Sequence, residues 1–104
     1  MSTVKQTTLI IPKDELARYC QTNQIRNLSI FGSQVTGQNS PESDVDLLVE
    51  FDPDARIGFL ALGRMQRELT ELFQKPVDLV PRQGLKERIR DRVLAEAVEI
   101  YATE

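Results

Sequence analysis

The chain contains no histidine. That absence removes histidine-based triads, histidine general acids and every histidine-containing zinc site. Any metal is left to oxygen ligands, which suits Mg²⁺, Mn²⁺ or Ca²⁺. Chemistry must then run on carboxylates, hydroxyls, Lys, Arg or metal. Cysteine is nearly absent too: Cys20 stands alone, so an internal disulfide is excluded, and its place in a helical stretch predicts a buried thiol. There is no apolar run long enough to span a bilayer and no signal-peptide core, so a soluble cytoplasmic protein with no membrane partner is expected. Surplus positive charge is also lacking. Thirteen Lys and Arg face 16 Asp and Glu, a net charge of -3, which gives no general attraction to nucleic acid or anionic membrane. No stable direct nucleic-acid binding is therefore expected. Repeats, linkers and low-complexity segments are missing as well, and the 104 residues read as one domain over 1–104 with a core from about 12 to 101.

What is present concentrates between Phe31 and Phe51. An apolar run ends in Gly32-Ser33, a loop with Gly37 and Asn39-Ser40-Pro41 follows, and a strand carries Asp44 and Asp46. Side chains alternate faces along a strand, so Asp44 and Asp46 share one face while Val45, Leu47, Val49 and Phe51 share the other. Two carboxylates at ~4 Å repel by about 4 kcal/mol at an effective dielectric near 20. A chain that keeps such a pair usually offsets it with a cation or a shared proton. By itself an Asp-x-Asp pair equally describes a solvated strand start. Gly32 permits a sharp turn and close backbone approach to a ligand, and Ser33 adds a hydroxyl and an N–H suited to phosphate at a helix start, or to an ordinary N-cap.

The remaining chain reads as alternating helices and strands. A helix is predicted from Pro12 to Thr22, a strand from Ile25 to Phe31, and a short helix at Ser33. The acidic strand Asp44–Phe51 precedes an amphipathic helix over Ile57–Phe73, where Ile57, Leu60, Ala61, Met65, Leu69, Leu72 and Phe73 recur at steps of three and four. Val77-Asp78-Leu79-Val80 reads as a short strand with an acid in an apolar run, so Asp78 calls for a partner among the acids of the preceding strand. Leu85, Ile89, Val93, Ala97 and Ile100 predict a closing helix whose apolar stripe docks on the sheet, with Lys86, Arg88, Arg90 and Arg92 on its solvent side. Such an order makes an α/β layer architecture. Carboxylates on adjacent strands, no histidine and a phosphate-holding turn describe a two-metal phosphoryl or nucleotidyl transfer site.

Gly32-Ser33, ten residues, then Asp44-Val45-Asp46 resembles the signature of the polymerase-beta-type nucleotidyltransferase superfamily. Leu-Ser-Ile-Phe-Gly-Ser, Ser-Asp-Val-Asp-Leu-Leu-Val-Glu-Phe and Lys-Pro-Val-Asp-Leu-Val resemble its small branch, the minimal nucleotidyltransferases (MNT) that serve as antitoxins beside HEPN-domain ribonuclease toxins. The resemblance runs from about Leu28 to Tyr101. It implies a small mixed β-sheet flanked by helices. Gly32 and Ser33 are then the nucleotide-phosphate residues, Asp44, Asp46 and Asp78 the catalytic and metal-holding acids, and two Mg²⁺ ions with ATP the cofactor and substrate. The reaction it implies is AMP transfer to a tyrosine hydroxyl of the co-encoded HEPN toxin. Where relatives often carry Arg shortly after Gly-Ser, this chain has Gln34, Val35 and Thr36. That departure leaves open a binding-only antitoxin with a vestigial site. Nucleotidyl transfer to RNA or a small molecule, as in larger relatives of the superfamily, is the remaining alternative, placed last because this chain lacks the additional domain that holds those acceptors.

Overall fold

The computed structural model describes residues 11–32 and 44–103. Helix α1 spans Lys13–Thr22, with Asp14 and Glu15 in its first turn, where carboxylates favour the helix dipole. Leu16 and Cys20, four apart, bury its inner face. Asn23 ends it, returning both its backbone N–H and its Nδ2 to the Tyr19 carbonyl. Strands β1 (Ile25–Phe31), β2 (Val45–Phe51), β3 (Val77–Pro81) and β4 (Val98–Ala102) form one mixed sheet in the order β3-β2-β1-β4. The β2–β3 pair is parallel and the other two are antiparallel.

The core lies on one face of the sheet, where Leu28, Ile30, Val45, Leu47, Val49, Val77 and Leu79 meet α1 and helix α2 (Phe59–Phe73). Met65, Leu69 and Phe73 recur every four residues to fill the inner stripe of α2. The helix starts two residues later than the periodicity implies, and Ile57 packs on the core from ahead of it. Phe59 and Leu60 project outward, 89% and 91% exposed, so Leu60 does not share the buried stripe. Tyr19 donates its hydroxyl to Glu68 (2.7 Å) and Arg64 donates to the same oxygen (2.8 Å), fastening α1 to α2.

Two polar side chains of α2 close the outer edge of β3. The Val77 N–H donates to Thr70 Oγ1 (3.0 Å) and the Leu79 N–H donates to Gln66 Oε1 (2.9 Å). Buried backbone donors need such partners. At the start of the pair the Val45 N–H donates to the Pro76 carbonyl (2.8 Å), which helps set the register of β2 on β3.

The closing segment departs from the sequence expectation. Leu85 is buried but sits before helix α3, which covers only Glu87–Glu96 and buries no residue. Ile89, expected in the core, is 39% exposed. Ala97 is extended, and Val98–Ala102 leaves the helix to pair with β1. The apolar residues of this segment satisfy both a helical and an alternating pattern, and the unpaired edge of β1 decides in favour of a strand.

Candidate functional site

Asp44 and Asp46 stand at the entrance of β2, and Asp46 lies directly opposite Asp78 in the parallel register. Register and strand parity put all three acids on the sheet face away from the core. Asp78, expected to be awkward inside an apolar strand, is exposed on that face, while Val77 and Leu79 beside it turn inward. Asp44 is exposed as well and Asp46 is half-buried. Burial first, then the negative charges of Asp78 and Asp44, hold the Asp46 carboxyl above the usual range. The three acids are thus within electrostatic reach of one another. Among the described residues no three side chains are gathered closely enough to grip a metal ion as they stand.

Gly32 follows β1, whose last residue, Phe31, pairs with Asp46. Its φ of +81° lies in the left-handed region, and a Cβ there would collide with Asp46 Oδ2. Only glycine lets the turn press against the carboxylate at little cost. The predicted companion Ser33 lies outside the described residues, as do Gln34, Val35, Thr36 and the short helix expected to begin at Ser33.

The acid-bearing face continues along the strands through Ser29 and Leu48 to Asn27, Glu50 and Arg82. Arg82 Nη1 contacts Glu50 Oε1 at 3.3 Å, a pair that the sequence reading did not find. Glu50 shares strand parity with Asp46 and was placeable on that ground. Glu99, on β4, was not, because the strand carrying it was read as helix.

A family model described as a nucleotidyltransferase domain matches residues 13–100. The chain belongs to the nucleotidyltransferase family. Two curated archaeal relatives are each 36% identical over 76 residues, 73% of this chain. One, from Methanocaldococcus jannaschii, is named a candidate protein adenylyltransferase and is covered over 80% of its length. The other, protein adenylyltransferase MntA of Thermococcus cleftensis, is covered over 75%. Among solved structures, a toxin–antitoxin with AMP-PNP superposes with a TM-score of 0.73 at 18% identity, over 90% of this chain and 76% of the other. The MNT antitoxin complex with a tri-AMPylated Shewanella oneidensis HEPN toxin gives a TM-score of 0.63 at 16% identity, over 88% and 70%. At these identities the structural likeness is one of fold. This nucleotidyltransferase therefore has the expected small mixed sheet flanked by helices, and among its described residues no helix is long and apolar enough to cross a membrane.

Proposed function

We propose that this nucleotidyltransferase is an antitoxin that transfers AMP from ATP, with Mg²⁺, to a tyrosine hydroxyl of a partner HEPN ribonuclease and so silences it. The observation that carries this reading is the placement of Asp46 opposite Asp78 and within electrostatic reach of Asp44, on the sheet face away from the core, with Asp46 against the left-handed Gly32. The adenylyltransferase names of the archaeal relatives and the toxin–antitoxin context of the structural neighbours support it.

The donor set fits a hard divalent cation. It is made of oxygens alone, and the raised proton affinity of Asp46 comes first from burial and then from the negative charges of Asp78 and Asp44, all of which a bound cation would offset. Asp44 and Asp78 are exposed and free of core packing, so both side chains can turn toward Asp46. Mg²⁺ bound there supplies positive charge against the triphosphate and the departing pyrophosphate. Gly32, with Ser33 beside it in sequence, offers backbone to the phosphates. The tyrosine oxygen attacks the α-phosphorus, the bond from that phosphorus to the bridging oxygen breaks, and pyrophosphate leaves with the electron pair. Asp78, exposed on the strand beside Asp46, is the residue assigned to take the phenolic proton.

The test is transfer of labelled AMP to the co-encoded partner, read beside equilibrium ATP binding. Asp78→Asn should keep much of the ATP affinity and lose most of the transfer rate, whereas Asp46→Asn should lose both. Wild-type transfer by Asp78→Asn reduces Asp78 to a structural acid. A wild type that transfers nothing while still neutralising its toxin makes the protein a binding-only antitoxin.

A further inference from the structure

On the acid-bearing face, beyond Asp46 and Asp78, lies a cavity of about 210 Å³ lined by Asn27, Ser29, Leu48, Glu50, Arg82 and Glu99, with Leu94 of α3 and the Ala97 that follows the helix as its wall. We propose that it is a subsite for a basic side chain of the acceptor polypeptide, two to four residues from the hydroxyl that receives AMP. The proposal rests on the adenylyl-transfer reading above and adds to it the chemistry of the acceptor.

Position sets the spacing. Leu48 and Glu50 lie two and four residues past Asp46 on the same face of β2, roughly 7 and 13 Å along a strand that rises about 3.3 Å per residue. An extended acceptor gains about the same length per residue, so a side chain two to four places from the acceptor tyrosine reaches the cavity. The volume suits one long side chain. Leu48, Leu94 and Ala97 offer apolar surface to an aliphatic stem, as Lys and Arg stems prefer.

Charge sets the occupant. Ser29, 8% exposed, donates to Asn27 Oδ1 (3.2 Å), and Asn27 Nδ2 donates to Glu99 Oε1 (3.0 Å). This relay orients Glu99 at the cavity but leaves its charge intact, because its donor is neutral. A carboxylate has several lone-pair directions, so one amide bond leaves room for an ammonium or guanidinium. Glu50 is matched by Arg82, the one cation among the lining residues. The last turn of α3 borders the cavity at Leu94, and the residue after the helix, Ala97, does so too; a helix C-terminus favours a nearby cation. With Asp44, Asp46 and Asp78 on the same face, a polyanionic acceptor such as RNA is disfavoured.

The test uses the full chain, labelled ATP with Mg²⁺, and synthetic tyrosine nonapeptides carrying Lys, norleucine or Glu three residues to either side of the tyrosine. The Lys peptide should be labelled with a kcat/KM at least tenfold above the norleucine peptide. Glu99→Lys should abolish that preference and favour the Glu peptide. Ala97→Leu, which narrows the cavity without altering charge, should lower kcat/KM for the Lys peptide. Both variants should keep the wild-type rise in melting temperature with ATP and Mg²⁺. Equal labelling of Lys and norleucine peptides, or an unchanged Lys preference in Glu99→Lys, overturns the subsite and leaves adenylyl transfer standing. Preferential labelling of an oligoribonucleotide, or no ATP binding and no labelling at all, overturns the subsite together with the protein-adenylyltransferase reading.

Discussion

Replacing Gly32 with alanine isolates the closest contact in the site. A left-handed residue with a Cβ costs about 1–2 kcal/mol. The unfolded chain loses freedom with the added methyl, which offsets about 0.4–1 kcal/mol. Backbone strain alone therefore leaves a net cost near 1 kcal/mol. The new Cβ also strikes the Asp46 carboxylate, so either the turn or the acid must move, and strain at such positions totals about 1–3 kcal/mol. In a domain of this size each kcal/mol lowers Tm by roughly 4–8 °C. Urea denaturation should give a reduced midpoint at unchanged m-value. A double-mutant cycle then separates the two contributions. Asp46→Ala removes Oδ2 and Cγ and leaves only Cβ, 3.5 Å from the new methyl, an ordinary contact. In that background Gly32→Ala should cost only the backbone part, about 1 kcal/mol. An identical cost in both backgrounds would refute the claim that Gly32 is pressed against the carboxylate.

Asp46→Asn should raise Tm near neutral pH without nucleotide. The folded-state pKa of Asp46 is raised, so its unfavourable contribution is absent below the unfolded value, about 3.9, and grows as pH rises through the folded value. The Tm gain of the variant should therefore fade on acidification, and a gain independent of pH would count against a cost of ionising Asp46 through burial and its acidic neighbours. Leu69→Ala, at a fully buried position, should cost about 2–5 kcal/mol by chemical denaturation. The exposed Ile89→Ala should stay within about 0.5 kcal/mol of wild type, and a large loss there would mean that α3 packs more tightly than its exposure implies.

Most of the framework was legible because each element carries its own period. Val45, Leu47 and Val49 alternate, Met65, Leu69 and Phe73 recur by fours, and Pro12 and Pro76 punctuate. The acids were legible for the same reason, since parity alone sends Asp44 and Asp46 to one face. Asp78 was correctly paired with them but misjudged in setting, because a sequence does not say that one face of a strand is left open. The last strand was missed where Val93, Ala97 and Ile100 fit a helix locally, and only the vacant edge of β1, far away in sequence, overrides that pattern. The Thr70 and Gln66 bonds to β3, and the Ser29–Asn27–Glu99 relay, were invisible for a related reason. Each joins residues that the fold, not the local pattern, brings together.

The capping of β3 by α2 has a consequence for growth of the sheet. An open strand edge is a template on which another chain can polymerise. Here the outward N–H groups of Val77 and Leu79 are already spent on Thr70 and Gln66, so a foreign strand arriving on that side finds no donors at those positions and meets a helix instead. The edge strand that carries Asp78 is thereby closed to recruitment. Bonds that look like minor helix-to-strand stitching act as an end-stop, keeping the acid-bearing side of the sheet from being lengthened by any neighbour that happens to be extended.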